Sequence, residues 1–157
     1  METHKTYTLE EAKRKMLNFC AYRERCHKEV EKKLVEMRMI PEAQYQIIRF
    51  LLQEGFLNEE RFAKSFARGK FRIKKWGKTR IIRELKTREI SKYNIESALR
   101  EIEEPVYLRT LDEVAKKKLA LISDKNNFKI KRKLADHLLY KGFETHLVYE
   151  KVRELTG

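Results

Sequence analysis

Glycine and proline are scarce, with five and two residues in a chain of 157, so few positions oblige the backbone to turn or leave a helix. Alternating β-branched runs are equally rare, which removes the signature of a sheet. The two cysteines, Cys20 and Cys26, stand six apart. That spacing suits neither a CxxC redox pair nor a zinc knuckle and leaves them as small apolar core residues. No apolar run reaches the roughly 20 residues of a membrane-spanning helix, and the opening residues do not read as a signal peptide. The expectation is a reduced, cytoplasmic protein without a membrane contact.

Catalytic signatures are missing too. Neither dinucleotide-binding nor phosphate-loop glycine patterns occur, nor the zinc-protease and serine-hydrolase motifs HExxH and GxSxG. The four histidines, His4, His27, His137 and His146, are dispersed without ligand spacing, so no metal and no cofactor is expected. Glu59 and Glu60 read as partners of a helix dipole rather than as an acid/base pair. The chain is expected not to be an enzyme.

What is present is a unit that recurs about every fifty residues. Thr8, Asn58 and Thr110 each precede a helical pattern, and Thr8/Glu11 and Thr110/Glu113 have capping-box spacing. Apolar pairs four apart recur in order: Ala12/Met16, Ala63/Ala67 and Ala115/Leu119 on a first helix. Val30/Leu34, Ile81/Leu85 and Leu134/Leu138 follow on a second, then Ile47/Leu51, Ile95/Leu99 and Val148/Val152 on a third. Each pair puts two apolar groups on one helical face. Pro41 can open a helix as its first residue, Ser91 can cap one, and Gly142 can end one in the left-handed conformation. Glu104-Pro105 is read as a stop, and residues 123–127 as a loop. The predicted fold is all-α: three tandem three-helix repeats over 8–57, 58–104 and 110–155, forming an elongated, curved stack.

Charge is the second positive feature. Lys+Arg number 37 against 24 Asp+Glu, a formal charge of +13, which favours polyanionic partners. Residues 64–88 hold eleven basic side chains and one acid, Glu84, whereas the first 63 residues are close to neutral. On a helical wheel Phe62, Phe66 and Ile73 make a core stripe, and Lys64, Arg68, Arg72 and Lys75 share the far side. Lys74, Lys78, Arg80, Arg83, Lys86 and Arg88 extend the basic surface. A face kept only for solubility would mix signs, and like charges four apart repel by a few tenths of a kcal/mol per pair. Phe71 lies on the basic side, placed either to stack on a base or to pack between modules. Trp76-Gly77 marks a bend, with Gly77 there for a tight turn or for close approach of a phosphate. A secondary basic patch comprises Lys116, Lys117, Lys118, Lys129, Lys131, Arg132 and Lys133.

The run Leu52-Gln-Glu-Gly-Phe-Leu-Asn-Glu-Glu-Arg-Phe-Ala63, the basic residues after it, Trp76-Gly77 and Ile81-Ile-Arg-Glu-Leu-Lys86 resemble the central signature of the bacterial recombination regulator family RecX. Ala21-Tyr-Arg-Glu-Arg25 with Glu29 and Lys33-Leu34 is similar to its first-module motif, and Lys133 through Phe143 to its third. The resemblance spans about residues 10–155. It implies tandem three-helix repeats and a protein that binds the RecA recombinase filament on DNA and inhibits its extension, ATP hydrolysis and strand exchange. Single-stranded DNA, and secondarily double-stranded DNA, are then the nucleic-acid partners of a monomer. By position, the middle-module basic residues become filament or DNA contacts. Gly55, Phe56 and Leu57 become the turn and packing between modules one and two, next to motif residues Asn58, Arg61 and Phe62. Asn58 stands where the family usually has an acid, and Glu89 where it often has glycine. Two other readings stay open: a nucleic-acid-binding helical protein independent of RecA, and an adaptor whose charge serves only solubility.

Overall fold

The computed structural model describes residues 6–157, and among these nine helices and no strand occur. Module one comprises α1 (Leu9–Tyr22), α2 (His27–Glu36) and α3 (Pro41–Gln53). Module two comprises α4 (Glu59–Lys74), α5 (Lys78–Thr87) and α6 (Lys92–Leu99). Module three comprises α7 (Glu104–Leu121), α8 (Asn127–Lys141) and α9 (Thr145–Thr156).

Local chemistry sets most of these ends. Thr8 and Glu11 close a reciprocal capping box on α1, with bonds of 3.1 and 3.2 Å. Asn58 accepts from the Arg61 amide at 2.9 Å and Ser91 from the Asn94 amide at 3.2 Å. Pro41 is the first residue of α3. Each cap satisfies an amide that no earlier turn can reach.

Thr110 behaves differently. It is buried in the interior of α7, which begins six residues earlier at Glu104. Pro105 therefore opens this helix instead of stopping one. At the first turn proline's missing N–H would be unpaired anyway, and its fixed φ suits the helix. The helix expected to open at Thr110 thus opens at Glu104. The extra turn carries Tyr107 into the core.

The second helix of every module ends alike. The residues at the turn, Arg38, Glu89 and Gly142, have φ of 59°, 59° and 97°. The following amides of Met39, Ile90 and Phe143 donate to the carbonyls of Leu34, Leu85 and Leu138 at 3.1, 3.2 and 3.2 Å. This is the Schellman closure, repeated three times. Only the third copy has glycine, so Glu89 holds a left-handed conformation that opposes its Cβ. We expect Glu89→Gly to raise stability by about 1 kcal/mol, read as a shifted urea midpoint at constant slope.

All nine apolar pairs read from the sequence face inward; Leu99 and Leu119 are half-buried and the other members are buried. Two clusters result. One belongs to module one and includes Met16, Leu34, Ile47 and Leu51. The other runs continuously through modules two and three and also receives Cys26 from module one. The accessible surface of 10513 Å² exceeds the roughly 8400 Å² of a compact monomer of 19.0 kDa. Modules strung in a row account for the excess.

Within module two, α4 and α6 form the most extensive helix pair. Ala63, Ala67 and Ala98, all fully buried, supply small side chains on these two helices. The buried arc of α4 is consequently centred on Ala63 and Ala67 and ends on Phe71. Ile73, expected in that stripe, is 71% exposed. It lies in the last turn, beyond the arc that the alanines define.

The junctions differ in kind. Between modules one and two, Arg61 donates to Glu24 at 2.6 Å and to the Gly55 carbonyl at 2.9 Å, and Lys28 reaches the Thr87 carbonyl at 2.9 Å. The His27 amide donates to Glu59. Burial raises the Glu59 carboxyl, an effect that this amide opposes. Between modules two and three the backbones themselves meet. Gly77 N–H donates to the Lys141 carbonyl at 2.8 Å and Thr79 N–H to the Gly142 carbonyl at 2.9 Å. Tyr107 accepts from the Lys78 amide at 2.9 Å and donates to the Glu144 carboxylate. Burial, then that carboxylate, pushes its phenol well above the usual range.

Candidate functional site

The middle-module cations divide into free and committed groups. Arg72, Lys74, Lys75, Arg83 and Lys86 are exposed and make no ion pair among the described residues. Arg72, Lys74 and Lys75 crowd the C-terminal end of α4, where the helix dipole favours positive charge. Arg83 and Lys86 project from α5, beside an open groove that they line with Thr79 and Ile82. The five present one sign of charge to water, and an external anion can approach each without displacing a protein partner.

The remaining basic positions are tied down to different degrees. Lys64 pairs with Glu60 at 3.1 Å and Arg68 with Glu101 at 2.8 Å. Glu60 is also held by Ser97, and the hydroxyl and the Lys64 ammonium together lower its carboxyl. Both pairs are on the surface and contribute little, so a stronger anion can compete for these cations. Lys78 lies 4.6 Å from the Tyr107 ring centroid.

Arg88 sits 4.7 Å from the Phe66 ring centroid and pairs with Glu84 at 3.1 Å. Arg80 is held between Trp76 and Tyr140, at 4.2 and 4.8 Å from their centroids, and donates to the Tyr140 carbonyl at 3.2 Å. Its Nε is buried without a partner. Arg80 and Arg88 hold the fold together at these rings and are set apart from the five exposed cations.

Phe71 is buried 5.8 Å from Tyr107, ring to ring. Of the two roles read for it, packing between modules is the one the structure has; it is not a stacking platform. Gly77 has φ of −76° and caps α5 in the extended conformation. The bend read at Trp76-Gly77 is present between α4 and α5, and close packing of the next module is what calls for glycine there. A Cβ there would collide with the Gly142 carbonyl and the Phe143 nitrogen. Lys75, two residues earlier, takes the left-handed position at φ 58°. Trp76 is half-buried against Phe66, 6.3 Å away.

Gly55 is left-handed at φ 76°, Leu57 is buried in the module-one core and Phe56 is partly exposed. These three residues form the turn into α4, and Phe62 enters the core beside Phe66 at 5.8 Å. Gly69, by contrast, has open space around its Cβ position inside α4. Gly69→Ala is expected to add about 0.5–1 kcal/mol of stability, seen as a rise in Tm, with anion binding unchanged.

The second basic patch is spread over module three. Lys116 pairs with Asp112 at 2.9 Å and Lys133 with Asp124 at 3.2 Å. The Asn126 amide and then Lys133 hold the Asp124 carboxyl below its usual range. Lys117, Lys129 and Arg132 are exposed, and Lys118 and Lys131 half-buried. Lys131 and Arg132 line a groove of about 520 Å³ with exposed Phe128 and Tyr149. The His137 ring is pushed toward the neutral form first by burial and then by Lys118 and Lys141.

Cys20 and Cys26 are both free and buried, in different clusters. Burial raises both thiols, Cys26 to about 11, which keeps them unreactive near neutral pH. Among the described residues no group of histidine, cysteine or acidic side chains could hold a metal; His4 lies outside them. No described helix is long and apolar enough to cross a membrane.

Fold and charge together define a helical-repeat protein with a cationic face on its middle module. The family model for the second three-helix domain of RecX matches residues 58–99, and that for the third matches residues 106–152. Regulatory protein RecX of Clostridium acetobutylicum is 30% identical over 148 residues, covering 92% of this chain and 68% of that one. The Clostridioides difficile protein of the same name is 25% identical over 144 residues, again 92% and 68% of the two chains. A crystal structure of RecX from Lactobacillus salivarius superposes with a TM-score of 0.82 at 24% identity, covering 94% of this chain and 96% of that one. This chain belongs to the RecX family.

Proposed function

We propose that this chain is a cytoplasmic, non-catalytic regulator that binds the RecA filament on DNA as a monomer and restrains its extension, ATP hydrolysis and strand exchange. The observation that carries the reading is the set of unpaired cations Arg72, Lys74, Lys75, Arg83 and Lys86 on the central module of a RecX-family chain. A recombinase filament on single-stranded DNA is long, helical and partly anionic. A row of modules can touch several of its subunits together, and weak contacts made jointly reinforce one another. Held across subunits, the protein hinders subunit addition and the motions coupled to ATP, without chemistry of its own.

RecA ATP hydrolysis on single-stranded DNA, followed while this protein is titrated in, tests the proposal. Inhibition well below one copy per RecA is expected, because a clamp acts on a filament rather than on a binding site. An effect only near saturation would indicate plain competition for DNA. The cations also support a second reading, direct nucleic-acid binding without RecA. Tight, sequence-selective duplex binding by the purified protein would favour it. Weak, sequence-blind binding strengthened by RecA would favour the first.

A further inference from the structure

Module one, nearly neutral when its charges are summed, gathers cations and aromatic rings around one concavity. Arg14, Lys15, Arg25 and Lys33 line an open groove of about 590 Å³ with Tyr7, Phe19 and Tyr22. Arg25 forms its floor. Although charged, this residue is buried, its guanidinium 3.7 Å from the Phe19 ring centroid and 5.9 Å from that of Tyr22. Its Nε donates to the Phe19 carbonyl at 2.8 Å and Glu29 stands 3.6 Å from its head, so it is a fixed positive charge. Lys33 lies 5.9 Å from the Phe19 ring centroid, and Lys15 donates to the Tyr7 hydroxyl at 3.0 Å. The one acid in the lining, Glu11, serves the α1 capping box.

Tyr22 decides what such a groove fits. The residue is 83% exposed at the end of α1, beside the buried arginine. A lone exposed tyrosine needs no explanation, but this one adjoins a cationic concavity. An acidic peptide would satisfy the cations and leave the ring unused. A duplex keeps its bases stacked, out of the ring's reach. A single strand offers both a phosphate and an unstacked base.

We infer that this groove is a further binding site for single-stranded nucleic acid, with a base stacked on Tyr22 and its phosphate held by Arg14, Lys15 and Lys33. The site is separate from the module-two cations and requires no recombinase.

Fluorescence anisotropy of labelled oligothymidylate and of an abasic strand of equal length, with the full chain, tests it. Tyr22→Ala should weaken oligothymidylate binding at least about fivefold, the low end of what one base–aromatic stack contributes. The abasic strand should bind both proteins alike, and Tyr22→Phe should behave as the unsubstituted chain. Unchanged oligothymidylate binding by Tyr22→Ala, or equal losses on both strands, would overturn the inference. As a second measurement, photo-crosslinking to 5-iodouracil DNA should place an adduct on Tyr22. That adduct should persist in a chain carrying Arg72→Glu, Lys75→Glu and Arg83→Glu, at protein concentrations raised to restore occupancy. Adducts confined to modules two and three would refute a module-one site even if the module-two cations do bind.

Discussion

Gly77→Ala is expected to lower stability by about 3 kcal/mol, and with it Tm by about 6–12 °C for a chain of this size. The added methyl has nowhere to go, because its nearest neighbours are backbone atoms of Gly142 and Phe143. A flexible side chain could swing aside, but here two modules must separate. Separation stretches the bonds from Gly77 N–H to Lys141 and from Thr79 N–H to Gly142, and loosens the contact of Tyr107 with Phe71, at 5.8 Å between centroids. Thermal unfolding checks the magnitude, and limited proteolysis should open a new site between α5 and α7. A Tm within 1–2 °C of the unsubstituted protein, about what 0.5 kcal/mol produces, would mean that the junction yields easily. Gly69→Ala is the control, since it adds the same methyl to open space.

The second large effect is on binding. Reversing Arg72, Lys75 and Arg83 to Glu together should abolish inhibition of RecA ATP hydrolysis at substoichiometric ratios. It should weaken single-strand binding by about a hundredfold at low salt. If all three contact phosphates, the log–log salt slope should shrink by about 2, at roughly 0.7 per single-strand phosphate. Stability should fall by only about 1 kcal/mol, the dipole cost of acids at the C-terminal end of α4, because none of the three has an ion-pair partner to lose among the described residues. Retained inhibition with an unaltered slope would identify the charge as a device for solubility alone. Arg80→Glu would be a poor substitute in this test, since that side chain joins Trp76 to Tyr140 across a module boundary.

What could be read from the sequence follows from the range over which each signal acts. Caps at Thr8, Asn58 and Ser91 depend on residues two or three positions away, and all three form. Apolar pairs four apart are similarly local, and all nine turn inward. Thr110 carries as good a capping signal as Thr8, yet Pro105 starts the helix earlier and the core takes Tyr107. A strong local preference yields where a longer helix buries more apolar surface.

Ile73 left its expected stripe, and Phe71 took the packing role of its two readings, for a related reason. A helical wheel locates a stripe but not the neighbour that will cover it, and Tyr107 from the next module covers Phe71. Charge was legible as an amount and not as availability. Only in three dimensions do Arg80 and Arg88 become packed rings' partners while Arg72 and Arg83 stay free. The groove of module one escaped because its residues come from α1, the segment before it, α2 and the turn between the helices. Acids elsewhere in the same stretch cancel these cations in any sum along the chain.

The divided core determines how the molecule yields under load. Modules two and three share one hydrophobic cluster and act as a stiff handle, whereas module one keeps its own. Among the described residues, polar contacts and the buried Cys26 attach it to that handle. Under a load applied through its ends, the chain is expected to give first at the junction between modules one and two, which then acts as a hinge. Raised salt weakens the hinge before it weakens the handle, since ion pairs near the surface are screened and buried apolar contacts are not.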